Sequence, residues 1–317
     1  GERMHRWIIL VGLFVSAGVL AQLGEPLFVR TSDVVYHKER GYGLTMDVVR
    51  PADPNGAAVL MLMSGGWMSS HDWLEPVGAD VLPTHFDQAA GELLSRGYSL
   101  FYVVHGAQPK FTIREIHEQV GAAVRYVRAN SGQYGVGPER LGIMGGSAGG
   151  HLSLMRGTRG GEGSASLEAA RVSDRVQAVV AYFPPTDFVN YGSEGVFFDK
   201  VVREVIPGKN PFLQALDYLE YDEVEVRLNK VTDEERLAAH YRNVSPRYHV
   251  TPDDAPALML HGDMDKLVPL QQSRLMVEEF RKAQVKHKLV VKAGGDHGWQ
   301  ATDEEVALIA DWFDGAL

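Results

Sequence analysis

Apolar residues in this 317-residue chain gather in short continuous runs. The runs are AAVLMLM (57–63), YSLFYVV (98–104), RLGIMG (140–145), VQAVVAYF (176–183), PALMLHG (256–262) and KLVVKAG (288–294). Each is nearly unbroken and rich in β-branched or aromatic residues, as strands covered on both faces are. Upstream, DVVYHKERGYGLTMDVVRP predicts two extended segments around a Gly-Tyr-Gly turn, ended by Pro51. Between the runs the apolar step changes to three and four. Ile113, Ile116, Val120, Val124 and Val127 share one helical face, and Thr112 with Glu115 has the spacing of a capping box. Met276 and Phe280 mark a helix from about Leu270. Val306, Ile309 and Phe313 mark a last one, behind a second box of Thr302 and Glu305.

Strands alternating with helices predict an α/β fold, a mostly parallel central sheet with helices on both faces. The rhythm fails from about 185 to 244, which is polar, aromatic-rich and without a clear core strand. This stretch is expected to be a cap inserted over the C-terminal edge of the sheet. Phe197, Phe198, Phe212, Leu213 and Tyr218 supply it with apolar surface, and Thr232 with Glu235 predicts a helix start. GTRGGEGSAS (157–166) reads as a glycine-serine loop without chemistry.

Composition narrows the picture. A net charge of -10 disfavours a nucleic-acid partner, which needs a basic surface. The absence of cysteine removes disulfides and thiolate metal sites. His5 and Arg6, the apolar stretch Trp7 to Leu20 and the small residues around Ala21 follow the order of a secretory signal peptide. The stretch is shorter than the roughly 20 residues that span a bilayer. Residues 1–23 are therefore expected to direct export, to the periplasm or the medium, with the globular domain over 24–317. An uncleaved anchor and a buried first helix are the competing readings.

The chemistry centres on LGIMGGSAGGHLSLM, Leu141 to Met155. A phosphate-binding loop would need lysine before the serine or a dinucleotide spacing, and neither is present. Gly145-Gly146-Ser147-Ala148-Gly149 is G-x-S-x-G between a strand and a helix-compatible run, the context of a nucleophile elbow. A serine hydroxyl needs a base, and KAGGDHGW offers His297 after the last apolar run. The base needs a carboxylate, and HGDMDKLVP offers Asp263 and Asp265, between which spacing does not choose. An oxyanion hole needs backbone amides. Ser64-Gly65-Gly66-Trp67 follows a strand and supplies Gly65 and Gly66, and Ala148 supplies the amide after the nucleophile.

With these four segments the chain resembles the α/β-hydrolase superfamily, and within it bacterial esterases like hormone-sensitive lipase, feruloyl and acetyl-xylan esterases, and prolyl-oligopeptidase-like hydrolases. The resemblance runs from about Tyr36 to Leu317, most of the cap excluded. In such enzymes the acid is the aspartate of H-G-x-x-D-x-x-V-P, here His261, Gly262, Asp265, Val268 and Pro269. The resemblance therefore implies Asp265, with Asp263 as the fallback. Two segments depart from the family. Met63-Ser64-Gly65-Gly66-Trp67 stands where H-G-G-G-W is usual, so the histidine that braces that loop is missing. VVHGAQPKF replaces Y-R-L-A-P, and its His105 is expected to satisfy its own loop.

The expected activity is a serine hydrolase cleaving carboxylic esters through an acyl-enzyme, without cofactor or metal. Its substrate would be a small or polymeric ester, of plant or algal polysaccharides or of polyesters by family analogy. Trp67 is expected to contact it; His71, Asp72 and Trp73 in the long loop that follows are candidates for contact, with a packed surface loop as the competing reading. His71, Asp72, Asp80 and His85 lack paired metal-ligand spacing. A peptidase or amidase on the same machinery and a non-catalytic binding protein are the alternatives.

Overall fold

The computed structural model describes residues 28–39, 41–74, 87–160, 172–206, 208 and 217–317. The expected signal segment, Asp80, His85, Phe212, Leu213 and most of the glycine-serine loop lie outside the described residues.

Eight strands form one sheet in the order β1-β2-β4-β3-β5-β6-β9-β10. β1 (Phe28–Glu39) and β2 (Tyr42–Pro51) make an antiparallel hairpin, and β2 pairs antiparallel with β4 (Ser99–Val103). All other pairs are parallel. They join β3 (Ala58–Leu62), β5 (Leu141–Gly146), β6 (Ala178–Tyr182), β9 (Ala257–Gly262) and β10 (His287–Lys292). β3, β4, β5, β6 and β9 are buried at every position, which is why they read as continuous apolar runs.

Alternate residues of these strands feed two cores. Leu60, Leu62, Ile143 and Met259 pack beneath α2 (Ile113–Ala129), α4 (Ala148–Arg159) and α7 (Gln271–Ala283), through Ile116, Val120, Leu152, Met276 and Phe280. Val59, Met61, Met144 and Leu258 pack beneath α1 (Asp87–Ser95) and α8 (Asp303–Asp314), through Ala90, Leu93, Ile309 and Phe313. Each fully buried aliphatic or aromatic side chain contributes about 1.5–3 kcal/mol of transfer free energy. The boxes at Thr112 and Thr302 form as spaced, each threonine accepting from the third-residue amide while the glutamate reaches back. A four-residue α3 (Ser131–Tyr134) follows α2.

The segment between β6 and β9 carries α5 (Phe198–Val205), the hairpin β7 (Leu219–Asp222) and β8 (Arg227–Lys230), and α6 (Glu234–Asn243). The expected helix is there, but its cap is Asp233, whose side chain accepts from Arg236 N, and not Thr232. The hairpin is not foreshadowed by its sequence. Among the described residues, no helix is long and apolar enough to cross a membrane. Loops at the carboxyl ends of β3, β5, β9 and β10 carry the candidate chemistry, where open α/β sheets place their ligands.

Candidate active site

Ser147 sits between the last residue of β5 and the first of α4 with φ 53° and ψ -119°. A non-glycine residue with positive φ costs on the order of 1–3 kcal/mol and must be held by its surroundings. Here Ser147 N–H donates to Tyr182 O at 2.9 Å. The flanking glycines are required by space. A Cβ on Gly145 would lie 2.6 Å from the carbonyl carbon of Gly149, and one on Gly149 would lie 3.1 Å from Leu62 O.

The turn brings Ser147 to His297 and Asp265. His297 Nε2 is 3.0 Å from Ser147 Oγ, and its Nδ1 is 2.8 Å from Asp265 Oδ2. The carboxylate only accepts, so Nδ1 carries the proton and Nε2 faces the serine hydroxyl as an acceptor. Asp265 Oδ1 accepts from the amides of Leu267 (3.0 Å) and Val268 (2.8 Å). Burial alone would raise the Asp265 pKa. The polar contact of His261, the hydrogen bond from His297, the attraction of His297 and the Val268 amide outweigh burial and hold it at about 2. His261 sits 3.6 Å from Asp265 Oδ2, too long for a good hydrogen bond, and its Nε2 is committed to Val268 O at 2.7 Å. Its effect on the carboxylate is therefore mainly electrostatic. Asp263 has another task, accepting from Gly294 N at 2.7 Å and so fixing the turn that leads to His297.

The oxyanion loop requires two corrections. Gly65 N donates to Met68 O and Met68 N to Gly65 O, both at 3.0 Å, so the Gly65 amide is already used. The amides of Gly66 and Ala148 donate to no acceptor among the described residues and stay available. Trp67, expected to contact substrate, is 2% exposed, and its indole packs edge-on against His151, Phe188 and Phe198. A ring that large can leave water only by filling the interior, so it is withdrawn from any open pocket. His71, Asp72 and Trp73 form one 3-10 turn capped by Ser70, with His71 Nε2 2.6 Å from Thr45 Oγ1. His105 is buried. Its Nδ1 donates to Gly106 O at 2.7 Å and desolvation lowers its pKa to about 4. Among the described residues no three His, Asp or Glu side chains gather as a metal site.

Three residues at the site escaped the sequence reading. Phe183, with φ 35°, lays its ring 4.6 Å from the His297 imidazole. Trp299 stands 5.6 Å beyond it, pinned by Glu305 Oε2 at 3.1 Å. His151, four residues after Ser147, makes contacts on both ring nitrogens. Only His151 had a signal, its helical spacing from the serine.

Solved structures share this architecture. A truncated carbohydrate esterase from gut microbiota superposes with a TM-score of 0.68 at 22% identity, covering 92% of this chain and 97% of that one. Propionate-bound esterase 2 of Thermogutta terrifontis gives 0.66 at 19%, covering 92% and 94%. The fold is thus the α/β-hydrolase fold. Among curated proteins of Mycobacterium tuberculosis, the probable carboxylic ester hydrolase LipM is 30% identical over 165 residues, 51% of this chain and 33% of LipM. Esterase LipC is 29% identical over 188 residues, 58% of this chain and 41% of LipC. The matches thus span well under half of those relatives' own lengths. The BD-FAE family model matches residues 46–280, more than half of the chain, and the protein belongs to the BD-FAE family.

Proposed function

We propose that the protein is a serine hydrolase that cleaves carboxylic esters through an acyl-enzyme. The observation that carries this reading is the unbroken line from buried Asp265 through His297 to Ser147 Oγ, with bonds of 2.8 and 3.0 Å. His297 Nε2 accepts the Ser147 proton as Oγ attacks the ester carbonyl. Asp265, ionised, stabilises the imidazolium that results. The negative oxygen of the tetrahedral intermediate lies between the Gly66 and Ala148 amides, at the N-terminus of α4, whose dipole favours that charge. On collapse, His297 protonates the leaving alkoxide. It then takes a proton from water, which attacks the acyl-enzyme and frees Ser147.

Phe183 and Trp299 place aromatic rings beside His297. Carbohydrate esters are the substrate class this reading favours, in keeping with the solved carbohydrate esterase of the same fold. Export through residues 1–23 belongs to the reading on sequence grounds alone. N-terminal sequencing of exported protein starting upstream of residue 21 would count against it.

A fluorophosphonate probe and a short p-nitrophenyl ester test the activity together. The expected result is hydrolysis of the ester and a phosphonate adduct that peptide mapping places on Ser147. Both should disappear in Ser147→Ala. Full hydrolysis by that variant, or an unlabelled wild-type protein, would sink the reading. Faster cleavage of the matched anilide than of the ester would replace esterase by amidase.

A further inference from the structure

Gly66 and Trp67 are consecutive left-handed residues, with φ 57° and 58°. For tryptophan that conformation is unfavourable by about 1–2 kcal/mol, so something must hold it. The Met63 side chain offers no polar tie to Trp67, because it is wholly buried in an apolar core. The paired Gly65 and Met68 amides close the turn itself, and the tie that fixes its place over the site comes from the nucleophile helix. Trp67 Nε1–H donates to His151 Nδ1 at 3.0 Å, and Trp67 O accepts from Gln108 N at 3.1 Å. His151 lies one turn into α4, where its own amide donates to Ser147 O at 2.9 Å. Its second nitrogen, Nε2, is 2.6 Å from Val244 O at the end of α6.

The partners dictate the tautomer. An indole nitrogen only donates and a carbonyl only accepts, so Nδ1 is bare and Nε2 carries the hydrogen. The ring is fully buried and stacked on Phe188, with centroids 5.1 Å apart. Desolvation lowers its pKa to about 4, opposed by the Val244 carbonyl. It is therefore neutral in neutral solution and fully paired. One imidazole thus joins three elements: the helix that starts at Ala148, the loop that presents Gly66, and the end of the inserted segment.

We propose that His151, acting through Trp67, is the positioning residue of the oxyanion hole: its hydrogen bond to the indole sets the separation of the Gly66 and Ala148 amides. It touches no substrate. This proposal rests on the hydrolase reading above. Gly66 precedes Trp67 by one residue and Ala148 precedes His151 by three, so the bond ties together the two stretches of backbone that carry the donors. Donors must lie about 2.7–3.1 Å from the position of the developing oxyanion to act, and losing one costs about 10²–10³-fold in turnover. Loosening both should cost part of that.

His151→Leu and Trp67→Phe break the bond while keeping a packed side chain. Each is expected to lower kcat about 10- to 100-fold on the p-nitrophenyl ester, with KM changed less than about twofold. Affinity for a boronic acid, whose tetrahedral serine adduct places an oxygen in the hole, should fall by a similar factor. His151→Gln can accept from Trp67 and donate to Val244 on one amide, and should recover most of the lost kcat. Unchanged kcat and boronate affinity in folded Leu and Phe variants would overturn the proposal. So would kcat, KM and thermal stability worsening together, with Gln no better than Leu, because that marks a packing role only. If the variants do not fold, 15N shifts of the wild-type ring decide. A protonated Nε2 with bare Nδ1 is expected, and the opposite tautomer would overturn the tie. A wild-type protein that neither cleaves ester nor takes up fluorophosphonate removes the hydrolase reading itself, an outcome distinct from any of these.

Discussion

The two flanks of Ser147 are held by different physics. On one side, His297 is aligned by an ionised carboxylate that collects two backbone amides and the imidazole itself. On the other, the Gly66 loop is held by a buried indole, stacked rings and a neutral imidazole. The first flank is electrostatic and must keep Asp265 charged. The second is apolar and must keep His151 uncharged. Burial therefore works against the first and for the second, and Asp265 stays ionised only because its hydrogen bonds exceed its desolvation.

The contrast can be broken most sharply at the acid. Asp265→Asn should lower kcat by about 10³- to 10⁴-fold, because an amide lets the imidazole settle in the wrong tautomer. Asp263→Asn, which loses only a turn contact, should stay within about tenfold. Equal losses from the two would erase the distinction between charged flank and turn. A smaller effect is expected at Phe183→Leu, which removes a ring against His297. A fall of about 2- to 10-fold in kcat/KM matches the roughly 0.5–1.5 kcal/mol of such ring pairs. An unchanged value would show that the Phe183 ring does not help to hold the imidazole.

Acid sharpens the comparison from the other side. Burial lowers His105, His151 and His240 to about 4. Between about pH 4 and their ordinary 6.5 the unfolded chain binds more protons than the folded one, so stability falls as pH falls through that window. Asp265, depressed to about 2 from 3.8, adds its loss only below that window. Thermal melts from pH 7 to 4 should therefore show a decline before the acid flank titrates. His151→Gln should flatten the slope by up to about one proton. A melting temperature independent of pH across this range would contradict buried neutral imidazoles. The smallest effect is expected far from both flanks. Val224→Ser, on a side chain 92% exposed, should leave turnover unchanged and stability within about 0.5 kcal/mol.

The sheet was readable because its central strands are buried on both faces, so apolar runs such as 57–63 and 256–262 stand out against helical spacing. The Ser147 turn and the His297 loop were readable because a strained turn demands glycines that leave a motif. Asp265 was not separable from Asp263 by spacing, since the two lie two residues apart in one turn and only burial and hydrogen-bond partners distinguish them. The role of Gly65 was hidden because whether an amide is free depends on a bond to Met68, three residues on. Trp67 misled because a tryptophan beside a glycine pair suggests a pocket wall, while the pattern does not reveal which way the ring turns. At α6, Thr232 and Asp233 are adjacent possible caps, and one residue of backbone geometry selected the second.

The hairpin β7–β8 was hidden for a further reason, its inverted faces. Tyr221 pairs with Leu228 and Leu219 with Lys230, and this face looks outward, with Tyr221 59% and Leu228 61% exposed. Glu220, Asp222 and Asn229 occupy the other, partly covered face, where Glu220 meets Arg236 of α6. This inversion bears on how the protein behaves as a colloid. A ribbon with unpaired edges and apolar tips is the kind of surface on which chains stick, and here the opposing force is the mutual repulsion of molecules carrying a net charge of -10. Salt at about 0.15 M confines that repulsion to roughly 8 Å. Raising the ionic strength therefore lowers how concentrated a solution of this protein can become before its molecules begin to associate.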